Sequence, residues 1–135
     1  MVKKPLNNVR YFSLFALFGA VWMAARLFNG RFEVPDAKSL VIFLIAAPVC
    51  EEMFFRGFIQ RVMKNRVKAA LYGVSAANVI TSVLFALTHV YAWGGVHSAL
   101  VFVPSLVFGW LMDRTDRLVW PILLHALYNI NIFIV

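Results

Sequence analysis

A chain of 135 residues is one domain by length, and with 62% hydrophobic residues, 14% charged and a mean hydropathy of +0.79 it belongs with polytopic membrane proteins, not soluble ones. Its net charge of +7 does not mark a nucleic-acid binder, because the thirteen Lys and Arg lie mostly between apolar runs and form no aromatic-interleaved face. Cys50 is the only cysteine, which excludes a disulfide framework and a thiol metal cluster.

Met1 to Arg10 is polar and basic, and Pro5 predicts no regular helix there. Tyr11 to Phe28 follows, apolar apart from Ser13 and Arg26, and long enough to cross ~30 Å of hydrocarbon at ~1.5 Å per residue. A cleaved signal peptide is the rival reading, but Arg26 and Asn29 stand where small cleavage-site residues belong. Ala16, Ala20 and Ala24, four apart, predict close approach of another helix. The connector Asn29 to Lys38 ends in Asp36-Ala37-Lys38-Ser39, a helix start.

The second helix runs from about Ser39 through Cys50-Glu51-Glu52 to Phe58 or beyond. Pro48 within it deprives the Leu44 carbonyl of its usual donor and predicts a bend beside the acids. Arg61 to Lys68 is a basic loop or helix end. A third span reaches Val90, and Ser75, Asn78, Ser82 and His89 on one face of it should look into the bundle. The fourth span, about His97 to Met112, carries Ser105 and Gly109 in small-xxx-small spacing. A tight charged loop, Asp113 to Arg117, leads to a fifth span, Leu118 to Val135, with Trp120 at the interface and His125 and Asn129 on one face. The reading is an all-α, polytopic membrane helical bundle of about five transmembrane helices, one domain over 1–135 with a catalytic core at about 39–129. Nine Lys and Arg on one side against three on the other put the N-terminus in the cytoplasm.

Few polar groups remain inside the spans: Glu51, Glu52, Arg56, His89, His125 and Asn129. Intramembrane ionisable groups are costly and need a partner or a wet cavity. Glu52 and Arg56 are four apart in the favourable order for an ion pair, a supporting role, which leaves Glu51 turned elsewhere. Glu51 lies 19 residues before Ala70 and His89 lies 19 after it, so a symmetric hairpin brings the two to one depth. These pieces suffice for hydrolysis: Glu51 as general base on a water shared with His89, with His125 and Asn129 donating to the oxyanion. No metal or other cofactor is required. Two alternatives stay open: Glu51, His89 and His125 as ligands of a catalytic zinc, and a non-catalytic membrane protein that binds a partner or confers immunity to a bacteriocin.

Glu51-Glu52-x-x-x-Arg56-Gly57, Phe85-x-x-x-His89 and His125-x-x-x-Asn129, in that order, resemble the three motifs of the CPBP family, the CAAX prenyl endopeptidases of the Ras-converting type and their prokaryotic relatives, also grouped as Abi proteins. The resemblance implies an intramembrane glutamic protease with Glu51, His89, His125 and Asn129 catalytic and Glu52 and Arg56 supporting. It implies a membrane-associated or lipidated peptide substrate, no nucleic acid, and residence in a prokaryotic cytoplasmic membrane. Asp116 and Arg117 depart from the Gly-Ser that relatives often carry there.

Overall fold

A computed structural model describes residues 5–135; Lys3 and Lys4 of the charge count lie outside the described residues. Among the described residues five helical rods make the fold. α1 is Pro5–Asn29 and starts earlier than the composition indicates, because proline in a first turn forfeits an N–H that has no helical partner anyway. It contributes little to the buried interior: Leu14, Leu17, Phe18, Val21 and Trp22 are all more than half exposed, as suits a lipid-facing helix. Its close contact is at Gly19, where a Cβ would run into the Tyr128 ring, and not at Ala20 or Ala24, which are exposed. The Tyr128 hydroxyl donates to the Phe15 carbonyl at 3.1 Å across the same contact.

α2, residues 37–66, is a rod of five consecutive stretches. Ala37–Val41, Ala47–Glu52 and Arg61–Arg66 are α-helical, while Ile42–Ala46 and Met53–Gln60 are wound as π-helix. Asp36 caps its start, accepting from the Ser39 N–H at 2.9 Å. The helix runs on to Arg66, so the basic segment is helix end rather than loop. A two-stranded hairpin follows, β1 (Ala70–Leu71) against β2 (Val74–Ser75), turned through Tyr72 and Gly73 at φ 51 and 80.

α3 is Ala76–Trp93, capped by the Ser75 hydroxyl on the Asn78 N–H. α4, residues 96–115, opens as 3-10 helix over Val96–Val101 and continues as α-helix over Phe102–Thr115. α5 is Val119–Phe133. Asn78, Ser82 and Phe85 of α3 are buried, so its polar stripe does face the interior. The apolar centre, Phe108, Leu111 and Leu124, joins α4 to α5 and is covered by Tyr11, Phe12, Phe15 and Ala16 of α1. The chain after α5 returns to the α1–α2 connector through a Phe32–Ile134 bridge, and Arg26 donates to the Ile134 carbonyl at 2.6 Å. That bond gives the cation of the first span a partner.

α1 and α3 are the described helices long and apolar enough to cross a bilayer by themselves. The five rods together form the all-α membrane bundle that the hydropathy pattern requires.

α2 and α4 run parallel, held in register by a ladder with one fixed offset. Arg56 meets Ser105, Gln60 meets Gly109 and Lys64 meets Asp113, each pair 49 residues apart. The rungs follow a four-residue period because both helices present one face to the other. Gly109 is what allows the middle rung: a Cβ there would fall onto the Asn78 amide and reach the Gln60 side-chain oxygen. Fixing α2 against α4 also fixes the depth of the two acids just above the ladder.

Candidate active site

The two glutamates leave α2 into different surroundings. Glu52 is fully buried and makes two contacts: its Oε2 lies 3.2 Å from Arg56 Nε, one helical turn on, and its Oε1 lies 2.9 Å from His125 Nδ1. Arg56, also fully buried, donates through one terminal nitrogen to both the Ser105 hydroxyl (2.6 Å) and the Ser105 carbonyl (2.8 Å). Its guanidinium lies over Phe85 at 5.1 Å and Phe108 at 5.9 Å. The expected ion pair is therefore the middle of a longer chain, Ser105 to Arg56 to Glu52 to His125.

Glu51 looks the other way. Its side chain is about one-third exposed and borders a cleft of about 330 Å³ lined also by Phe54, Phe55, Thr88, His89, Ala92 and Trp93. Its Oε2 makes no hydrogen bond and faces two imidazole nitrogens, His89 Nε2 at 4.0 Å and His125 Nε2 at 3.9 Å. The hairpin of α2 and α3 thus sets Glu51 opposite His89.

Both rings are held through their other nitrogen. His89 Nδ1 lies 3.0 Å from the Phe85 carbonyl one turn earlier, and a carbonyl only accepts, so the Nδ1 carries the proton. His125 Nδ1 is in the same position against the Glu52 carboxylate. Each ring therefore turns Nε2 toward Glu51. His125 is further fixed by near-parallel stacking on Phe108, centroids 5.0 Å apart at 18°.

Asn129 stands one helical turn beyond His125 on α5, and one proton of its amide is already engaged. Its amide donates to the Phe43 carbonyl of α2 at 2.8 Å. The carbonyl next to the proline with a side-chain donor is therefore Phe43, and the π winding explains the shift from Leu44. The Ala47 N–H bonds to the Ile42 carbonyl, five residues back, and the next bond of that register would run from position 48 to Phe43. Pro48 has no N–H to give.

Among the described residues no three His, Cys, Asp or Glu side chains are grouped as a metal site. The small-xxx-small spacing of Ser105 and Gly109 marks a close approach of α4 but not its partner; Gln60 on α2 carries no motif signal, and only the 49-residue register between the two helices could have pointed to it.

A family model described as type II CAAX prenyl endopeptidase, Rce1-like, matches residues 34–131, well over half the chain. No curated protein and no solved structure matches it.

Proposed function

The chain belongs to the Rce1-like family of type II CAAX prenyl endopeptidases and is an integral membrane protease, and from that premise we propose a mechanism in which Glu51 activates the hydrolytic water. One observation carries the reading: an unpartnered carboxylate oxygen converges with two imidazole Nε2 atoms at distances that one water molecule spans.

A water between Glu51 and His89 meets two acceptors, the carboxylate and the His89 Nε2 whose ring proton is committed to Phe85. Its protons point at them and its lone pair is turned toward a peptide carbonyl in the cleft. As the water oxygen bonds to the carbonyl carbon, its proton passes to Glu51. The oxyanion accepts from His125 Nε2–H, the ring being an imidazolium held on Glu52, and from Asn129. An amide nitrogen has two protons, so the one on Phe43 leaves a second. Collapse breaks the C–N bond, and Glu51 returns its proton to the departing amine. Glu52 and Arg56 support the site by holding His125. The substrate is a membrane-associated or lipidated peptide, which the apolar wall of Phe54, Phe55 and Trp93 suits. We take about 39–129 as the catalytic domain; the excess of Lys and Arg outside the spans favours a cytoplasmic N-terminus, and a prokaryotic membrane is what the family resemblance implies.

The test is Glu51→Gln in the purified protein, assayed on an internally quenched peptide with a farnesylated CAAX end. Loss of about 10³-fold in kcat at unchanged folded yield is expected for a general base. Cleavage at the wild-type rate would remove the base, and a partner-binding or immunity protein would keep its function in the same variant. A zinc enzyme would instead lose activity to a chelator and carry stoichiometric metal.

A further inference from the structure

The reading of Asn129 as an oxyanion donor leaves open what aims its amide. We infer that Pro48 does so as a positioning residue: by withholding a backbone N–H it reserves the Phe43 carbonyl for Asn129. The proposal rests on that reading of Asn129, and its test separates the two.

Pro48 is fully buried and sits where the first π stretch ends. In the i+5 register the residue owed to the Phe43 carbonyl is number 48, and in the ordinary i+4 register it is Ala47, whose N–H already goes to Ile42. Proline closes both routes, because it supplies no donor itself and its ring disfavours the i+4 winding that would return Ala47 to Phe43. A buried carbonyl without a partner is costly, so the site selects a donor from elsewhere. The donor is the Asn129 amide, 86 residues on and 2.8 Å away. One N–H of the planar amide is thereby pinned to α2, and planarity fixes the direction of the other. His125, one turn earlier on α5, is pinned to α2 by its own bond to Glu52. Both proposed oxyanion donors are thus anchored to the helix that carries the base, one on the second acid and the other on a carbonyl N-terminal to the pair.

Any residue other than proline at this position returns a backbone donor to Phe43 and sets the Asn129 amide loose. Two replacements differ only in that donor. Pro48→Ala has the N–H, whereas lactic acid at position 48 has the alanine side chain on an ester oxygen and no N–H. The full-length protein in lipid nanodiscs is labelled with 15N-asparagine. The Asn129 side-chain amide signal is assigned by its loss in Asn129→Ala, and kcat and KM are measured on the farnesylated quenched peptide. Pro48→Ala should move the Asn129 amide proton upfield and lower kcat about 10-fold to 100-fold with KM within about twofold, short of the ~10²–10³ of losing a donor outright. The ester should keep both near wild type. In the Asn129→Ala background Pro48→Ala should lower kcat no further, since the effect runs through the missing amide.

An Asn129 amide proton that does not move in Pro48→Ala overturns the inference. So does an equal loss in both replacements, of rate or of folded yield, because the requirement is then for the ring. Folding by the ester alone counts in its favour. If Asn129→Ala itself cleaves at the wild-type rate, the oxyanion role of Asn129 fails, and the amide shift still decides what Pro48 does.

Discussion

His125 Nδ1 lies 2.9 Å from Glu52 Oε1, a contact between residues 73 apart that closes α5 onto α2 in the interior of the bundle. It gives the second glutamate a partner on each oxygen and turns His125 Nε2 toward the first. Glu52 is thus the residue through which the Arg56 anchor reaches the site.

Glu52→Gln keeps the shape of this link and removes its charge. The imidazolium form of His125 then loses its closest anion, so kcat should fall about 10-fold to 100-fold, less than for Glu51→Gln, which removes the base. Steady-state kinetics of the two single variants give the comparison; a larger loss at residue 52 than at residue 51 would invert the assigned roles.

Arg56→Met removes one member of a buried ion pair and leaves Glu52 uncompensated. The expected cost is about 3–5 kcal/mol, with much of it recovered in the Arg56→Met, Glu52→Gln double variant, because the stranded charge is then gone. Thermal unfolding in detergent reads both. A single variant as stable as the wild type would mean that Glu52 draws its support from His125 alone.

Gly109→Ala places a methyl group where the Asn78 amide and the Gln60 oxygen sit. Overpacking costs about 1–3 kcal/mol, and here it also parts the middle rung between α2 and α4. Stability should fall by that amount. A disulfide-trapping series along the two helices should show the offset of 49 residues loosened.

Asp36, at the exposed start of α2, has its carboxyl held below the ordinary carboxylate range by the Ser39 backbone N–H, with the Ser39 hydroxyl adding to it. A lowered folded-state value means that this cap contributes fully above the unfolded value of ~3.9 and is lost as pH falls through the folded value. Asn caps without titrating. The stability difference between wild type and Asp36→Asn should therefore be constant from neutral pH down to about 5 and then drift against the wild type below ~3.9.

The sequence by itself determined the helical membrane bundle, because long apolar runs broken by basic turns admit no other solution in lipid. It also singled out Glu51, Glu52, Arg56, His89, His125 and Asn129, since ionisable and amide groups inside such runs are few. The equal spacing of Glu51 and His89 about the basic turn even foretold that they would face each other. What only the tertiary structure decided is how those groups share partners. Whether Glu52 serves Arg56 alone or also His125, and whether Asn129 meets a carbonyl of α2, depends on the rotation of α5 against a rod wound partly as π-helix. A π turn shifts each later side chain by an amount that the apolar pattern of α2 does not encode, so the carbonyl beside Pro48 with a side-chain donor is Phe43 and not Leu44. The small spacing of Ser105 and Gly109 showed that α4 approaches another helix closely, but not that Arg56 and Gln60 of α2 meet it there, because that pairing exists only once the two helices are laid side by side.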